Sequence, residues 1–176
     1  MDSPRDWLLL LRAPGLGSGT LRKLLDMHGS AAAILANDAA AVRQLSGFNA
    51  AREWLANPDE ALLDIDLAWL DEPDRYLIPC TSAEFPERLN LAHGAPAALF
   101  VRGEPAALRL PAIAMVGTRN PTRDGADLAF QFGKELAAAG LVIVSGLAIG
   151  IGSICYRCEL GYLLRSIFLS IWKPCS

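Results

Sequence analysis

A chain of 176 residues, of which 52% are hydrophobic, is long enough for one ordinary domain or for one small domain with part of a second. The longest apolar-rich stretch near the C-terminus, LGYLLRSIFLSIW, contains Arg165 and is too short to span a membrane, so no membrane span is predicted. The formal net charge is −3, and residues 61–80 alone hold five acids against Arg75, so charge neither supports nor excludes a nucleic-acid partner.

The N-terminus predicts the compartment of the protein, and the cysteines do not argue against that prediction. Asp2 and Asp6 stand where a signal peptide would be basic, which predicts a cytoplasmic protein. Cys80 stands alone and the other three cysteines fall in the last 22 residues, so no disulfide framework is expected. Cys155 and Cys158 have the spacing of half a zinc site, but no second pair accompanies them. We therefore predict neither a metal nor another cofactor.

Residues 1–70 are predicted to form a helical module. WLLLLR reads as a first helix, Pro14-Gly15 as a break, and the next helix places Leu21, Leu24 and Leu25 on one face. Two segments, GLGSGTLRKLL and LSGFNAAREWL, begin with a glycine turn, as helix-hairpin-helix modules do to present backbone N–H groups to a phosphate. An ordinary helical bundle, in which the glycines only turn the chain, is the alternative and the one we favour.

Residues 71–110 are predicted to be a connector leading into a second domain. An acidic helix precedes them, between the breakers Asn57-Pro58 and Glu72-Pro73-Asp74. The connector itself is rich in proline and has two short pieces of strand character, Tyr76–Ile78 and Ala98–Val101.

Residues 111–152 have the pattern of a βαβ unit. Ala112–Val116 is an apolar strand, and Asp124–Ala139 is a helix with Leu128, Phe132 and Leu136 at four-residue spacing. Asp124 is the expected N-cap, Gly140 is the expected residue after the C-cap, and Leu141–Val144 is a second strand. The two strands of such a unit run in parallel as near neighbours.

Parallel strands deliver their carboxyl ends to one edge of a sheet, where open α/β sheets bind ligands. Gly117-Thr118-Arg119 and Ser145-Gly146 should therefore emerge together. The spacing is not that of a dinucleotide fingerprint. Glycines allow close backbone approach, the hydroxyls and turn N–H groups are donors, and Arg119 is a planar cation suited to phosphate. The expected ligand is an anion.

The paired segments IAMVGTRNPT and VIVSGLAIGI resemble the signature of the bacterial DNA-processing protein A (DprA/Smf) family. The lead-in YLIPCTSAEFPERL and APAALFVRG is also similar to that family's segment upstream of its Rossmann-like domain, and the resemblance covers about residues 5–151. It implies an α/β fold in which an N-terminal helical module, SAM-like or helix-hairpin-helix-like, precedes an incomplete Rossmann-like parallel sheet. It further implies a non-enzymatic single-stranded DNA-binding protein, commonly a homodimer, which loads the RecA recombinase during natural transformation.

Carried over residue by residue, the resemblance assigns the DNA-phosphate pocket to two walls. The first consists of Gly117, Thr118, Arg119 and Asn120, and the second of Ser145, Gly146, Leu147 and Ala148.

The family pattern continues with Gly-Ile-Asp, whereas this chain reads Gly150-Ile151-Gly152. We therefore expect residues 153–176 to be a divergent, out-of-frame tail that impairs activity, although its segment Ser166–Trp172 has strong strand propensity. Two other interpretations stay open. The chain is either a gene remnant with no function, or a nucleotide-phosphate-binding hydrolase of the lysine-decarboxylase-like Rossmann group.

Overall fold

A computed structural model describes residues 2–36, 49–145, 150–151, 154 and 168–170. They form two compact units. The first unit runs to Val101 and takes in Leu169 and Ser170, and the second runs from Arg102 to Phe168. The division therefore falls inside the region predicted as a connector, 71–110, because both of its strands belong to the sheet of the first unit.

Five helices of the first unit follow in chain order: α1 Pro4–Arg12, α2 Ser18–His28, α3 Ala31–Ala36, α4 Asn49–Ala56 and α5 Glu60–Leu70. A capping box starts α1, since the Ser3 hydroxyl accepts from the Asp6 N–H at 3.2 Å while the Asp6 carboxylate accepts from the Ser3 N–H at 2.8 Å. Gly29 ends α2 at φ 85°, in the left-handed region that favours glycine. The predicted break at Pro14-Gly15 is confirmed.

The helices enclose an apolar core. Leu21, Leu24 and Leu25 of α2 are buried, which confirms the face predicted for that helix. The Trp54 indole on α4 packs against this core and donates from Nε1 to the Leu9 carbonyl oxygen at 2.8 Å. The other buried members are Trp7, Leu10, Ala13, Leu16, Ala31, Ile34, Ala51, Ala97 and Ala98.

Three strands are β1 Arg75–Pro79, β2 Ala98–Arg102 and β5 Phe168–Ser170, and they form one sheet in the order β1–β2–β5. The short helix α6, Glu87–Asn90, lies between β1 and β2 in the chain. Phe100 of β2 is buried with Leu8 and Leu63 of the helices and meets Trp69 edge to face, with 5.8 Å between ring centroids. The Arg75 guanidinium lies 5.1 Å from the centroid of that indole. Both strands predicted before residue 102 are confirmed, and β5, the described part of the tail segment Ser166–Trp172, lies beside β2.

The acidic helix α5 is tied to α1 by ion pairs. Arg12 donates from Nε and from an Nη to the two carboxylate oxygens of Asp66, the second bond being 2.7 Å. Both side chains are buried, at 8% and 3% exposure, and the bond to Asp66 holds the pKa of Arg12 above its usual value. Arg5 and Glu60 form a second pair at 2.7 Å on the surface. The acidity of residues 61–80 therefore belongs partly to the interior of the first unit.

Asp2 caps α3 from outside that helix. Its carboxylate accepts from the N–H groups of Ala31 and Ala32 at 3.0 and 3.1 Å. Partial burial raises the pKa of Asp2. The two backbone hydrogen bonds, with smaller contributions from side-chain hydrogen bonds, lower it by more, so the pKa lies below its usual value.

The second unit contains a 3₁₀ helix at Pro105–Arg109, strand β3 Ala112–Ala114, helix α7 Arg123–Ala138 and strand β4 Val142–Val144. β3 and β4 are parallel, with Ile113 opposite Ile143, as predicted. The first strand ends two residues before the predicted Val116. Its hydrogen bonding continues for one residue, since the Met115 N–H donates to the Val144 carbonyl oxygen at 2.8 Å.

Helix α7 differs from the prediction in its start and in its buried face. Thr122, not Asp124, is the N-cap, because its hydroxyl accepts from the Gly125 N–H at 3.2 Å while Asp124 lies in the first turn. The small residues Ala129 and Gly133 are buried, whereas Leu128 and Phe132 are 57% and 55% exposed.

Two features of this unit agree with the sequence pattern. Gly140 follows the C-cap at φ 84°, as predicted. Leu136 is partly buried and packs against Ala129 and Ile143, together with Met115, Ile151 and Ile154.

Candidate functional site

The first candidate turn leads from the end of β3 to the start of α7. Gly117, Thr118, Arg119 and Asn120 are all exposed along it. The Asn120 N–H donates to the Thr118 hydroxyl at 3.2 Å, which closes a local turn around Arg119. Arg119 is therefore presented to solvent just before the N-terminal end of a 16-residue helix.

The second candidate turn follows β4. Ser145 is half-buried directly after that strand. The other three residues predicted for this wall, Gly146, Leu147 and Ala148, lie outside the described residues. The structure resumes at Gly150, which is buried, and Ile151.

The two turns meet at Gly150 and Ile151. The Ile151 N–H donates to the Thr118 carbonyl oxygen at 3.2 Å. A Cβ atom on Gly150 would overlap the same carbonyl oxygen and would lie 2.7 Å from the Arg119 Cα. A Cβ atom on Gly117 would lie 2.7 Å from the Ile151 Cβ. The described contact between the two signatures therefore lies at Gly150 and Ile151, and the expected meeting of Gly117-Thr118-Arg119 with Ser145-Gly146 stays a prediction, since Gly146 lies outside the described residues.

Gly150 and Ile151 were not among the predicted site residues. Their signal in the sequence is the glycine alternation at the end of the segment VIVSGLAIGI. That pattern gives no indication of which backbone the glycine touches. The contact depends on the φ of +110° at Gly150, which an L side chain rarely adopts.

The first turn and the start of α7 carry charges of both signs. Arg119 and Arg123 are exposed, and Arg123 is the first residue of α7, whose N-terminal N–H groups carry partial positive charge. Asp124 and Asp127 are also exposed near the start of α7. Among the described residues, no three His, Cys, Asp or Glu side chains group as a metal site requires. An arginine, hydroxyls and backbone donors can bind phosphate oxygens.

The first glycine turn of the helical module, at Gly15 and Gly17, differs from the Arg119 turn because the arginine nearest to it contacts other parts of the protein. Gly15 adopts φ 79° and Gly17 is the N-cap of α2. The nearest arginine on that helix, Arg22, donates to the Pro96 carbonyl oxygen at 2.8 Å and to the Asn90 side chain, and lies 5.8 Å from the centroid of Phe85. It thus fastens α2 to the loop before β2, which favours the ordinary-bundle interpretation. The second glycine turn, at Gly47, lies outside the described residues.

Comparison with known proteins assigns a family to this fold and site. The sequence pattern of the DNA recombination-mediator protein A family matches residues 76–168, which is more than half of the chain and extends beyond residue 151. The chain is 36% identical to protein Smf of Escherichia coli K12 over 110 residues, covering 62% of this chain and 29% of Smf. It is 38% identical to DNA processing protein DprA of Bacillus subtilis 168 over 91 residues, covering 51% of this chain and 31% of that protein.

The fold has a counterpart among solved structures. DNA processing protein A of Streptococcus pneumoniae superimposes on 92% of this chain and 55% of its own, with a TM-score of 0.69 and 24% identity. The fold is thus that of an α/β protein with a helical N-terminal part. The chain belongs to the DNA recombination-mediator protein A family, to which the DprA/Smf proteins correspond. It spans about three tenths of the length of the two curated relatives.

None of the helices in the described ranges is both long and apolar enough to cross a membrane.

Proposed function

We propose that this chain binds single-stranded DNA through the exposed turn that carries Arg119, and that it acts as a recombination mediator in DNA uptake. The observation that carries the proposal is the meeting of the two glycine signatures at Thr118, Gly150 and Ile151, which presents Arg119 at the end of the parallel strands. Membership of a family of recombination mediators supports a DNA ligand.

The distribution of charge supports the second unit as the DNA-binding part. Residues 102–168 carry seven basic and five acidic side chains, whereas the rest of the chain carries nine basic and fourteen acidic ones. The overall charge of −3 is therefore the sum of a formal charge of +2 on the second unit and −5 on the first. Nucleic-acid binding depends on local positive charge, so the total does not oppose it.

The family resemblance supports the remaining parts of the proposal. These are the site residues Gly117 to Asn120 and Ser145 to Ala148, loading of the RecA recombinase onto the bound strand, homodimer formation, and action in the cytoplasm without catalytic turnover. Exposed Asp124 and Asp127 act in this proposal as residues at the helix start, not as the catalytic acid that the hydrolase interpretation requires.

The proposal is tested by anisotropy titrations of a labelled single-stranded oligonucleotide with wild type, Arg119→Ala and Arg88→Ala. Arg88 is a matched control because it is an exposed arginine of the first unit, on α6. Loss of one charge-assisted phosphate contact should cost on the order of 1.5 to 3 kcal/mol of binding free energy in Arg119→Ala alone. Equal affinity of the three proteins would overturn the proposal, and a larger effect of Arg88→Ala would move the site to the first unit.

A further inference from the structure

The turn around Arg119 makes few backbone bonds of its own. In the segment 115–121 the Met115 N–H donates to β4 and the Asn120 N–H to the Thr118 hydroxyl. The regular helix begins only after its N-cap, Thr122. A segment of this kind takes its shape from what packs against it.

Gly150 and Ile151 pack against this segment. The Ile151 N–H holds the Thr118 carbonyl oxygen at 3.2 Å, which fixes the peptide directly before Arg119. Gly150 lies so close that an added Cβ would overlap the Thr118 carbonyl oxygen and come within 2.8 Å of the Arg119 carbonyl oxygen. Both atoms belong to backbone, which cannot swing aside as the end of a long side chain can. Any side chain at position 150 must therefore displace the peptide groups on both sides of Arg119.

Gly117 also takes part in this contact, because it lies against the Ile151 side chain. Because Gly117 has no Cβ atom, the Ile151 side chain has room beside it. A Cβ atom added at Gly117 would lie 2.7 Å from both the Cβ and the Cγ1 of Ile151. Ile151 is in turn packed with Ala129 and Ile143 in the core of the second unit. The position of the Arg119 turn is thereby linked to the β4 side of the sheet through two glycines and one backbone hydrogen bond.

We propose that Gly150 and Ile151 are positioning residues, which set where Arg119 meets a phosphate of the bound strand. The proposal rests on the proposed function, and Gly150 acts in it only through the Arg119 turn. Preorganisation of a side chain lowers the cost of ordering it on binding, so a displaced turn weakens the phosphate contact even though Arg119 is present.

The test uses the full chain, a labelled single-stranded oligonucleotide and the variant Gly150→Ala. We expect about tenfold weaker binding than wild type, and a slope of log affinity against log salt smaller by ~0.7, as for one lost phosphate contact. The matched control is Gly140→Ala in the same unit. Gly140 also has a positive φ, +84°, but nothing lies within 4 Å of its added Cβ, so this variant carries the backbone strain without the contact. Its affinity should equal that of wild type.

A double-mutant cycle separates positioning from a general loss of structure. If Gly150 acts through Arg119, Gly150→Ala should change affinity by less than about twofold in an Arg119→Ala background. An additive effect in that background would overturn the inference. Wild-type binding by Gly150→Ala, with weak binding by Arg119→Ala, would also overturn it and leave the proposed function standing. No effect of Arg119→Ala would overturn both.

A second pair of variants decides the matter if Gly150→Ala does not fold. Gly117→Ala should weaken binding, and adding Ile151→Gly should restore it, because this change removes the atoms that the new methyl group meets and keeps the N–H that binds Thr118. Failure of Ile151→Gly to restore any binding, in a protein with the wild-type circular dichroism spectrum, would contradict the inference.

Discussion

Arg12 and Asp66 form a two-point ion pair in the interior of the first unit, although 54 residues separate them in the chain. Their side chains are 8% and 3% exposed, and they line a cavity of about 100 Å³ together with Leu16, Ser18 and Phe100. The pair joins α1 to α5 and makes the acidic helix part of the folded module.

Removing one partner of this pair should be costly. Asp66→Ala deprives a buried guanidinium of its carboxylate, so we expect the free energy of unfolding to fall by roughly 3 to 5 kcal/mol. Replacing both residues with apolar ones of similar size, Arg12→Met with Asp66→Leu, should recover most of that loss. Urea denaturation followed by far-ultraviolet circular dichroism measures both. A single variant as stable as wild type would show that the pair contributes nothing to the unit.

The cap that Asp2 provides to α3 should depend on pH. Its pKa is lower in the folded than in the unfolded protein, so its stabilisation is present above the unfolded value, about 3.9, and is lost as the pH falls through the folded value. Asp2→Asn should therefore be less stable than wild type at pH 7, by roughly 0.3 to 1 kcal/mol, because the neutral amide keeps a capping oxygen but loses the charge, and the difference should shrink as the pH falls through the folded pKa. Thermal unfolding at several pH values measures the difference. A gap between the two proteins that is independent of pH would rule out the carboxylate as its source.

DNA binding should weaken steeply with salt and should not depend on sequence. Contacts to phosphates release counterions, and three such contacts on a single strand would lower affinity by about tenfold to twentyfold between about 50 and about 200 mM salt. Titrations with two unrelated single-stranded sequences and one duplex measure this, and we expect the duplex to bind more weakly. Affinity unchanged by salt would remove the phosphate contacts from the proposed site.

Limited proteolysis should cut the second unit before the first. The described residues of the second unit include four buried hydrophobic ones, Ala107, Ala129, Val142 and Ile143, whereas the first unit buries twelve residues in the cluster around Trp7 and Leu10 alone. Leu128 and Phe132 are more than half exposed on α7. Mass spectrometry of a timed digest should therefore show a persistent fragment of the first unit. A persistent β3–α7–β4 fragment would contradict this order.

The elements of both units could largely be predicted from local pattern. The parallel strands β3 and β4, the helix between them and the role of Gly140 follow from apolar periodicity and the conformational freedom of glycine. The sequence pattern does not identify the N-cap, because Thr122 and Asp124 are both good capping types and only the bond from the Gly125 N–H to Thr122 distinguishes them.

Long-range contacts were harder to infer. The buried face of α7 runs through Ala129 and Gly133, and a search for large apolar residues overlooks small ones where two backbones approach closely. The pairing of Arg12 with Asp66 likewise has no signature in local sequence, which predicts an acidic helix before the connector but not its buried partner. At the candidate site, the exposed residues Gly117 to Asn120 follow from the strand-end pattern, while Gly150 and Ile151 are recognised only once the two turns are seen together.

The edge-to-face contact of Trp69 with Phe100 belongs to the first unit, which also holds Trp7 and Trp54, whereas Trp172 lies outside the described residues. Trp7, Trp54, Trp69 and Trp172 all fall outside residues 102–168. The indole emission of the described tryptophans therefore reports on the first unit, and Trp69, beneath the Arg75 guanidinium, is placed to change its emission when β1 and α5 separate. Residues 102–168 contain no tryptophan, so the second unit contributes nothing to that emission. Denaturation can also be followed by the absorbance of the peptide groups, to which both units contribute. The two denaturation curves will coincide only if both units unfold together.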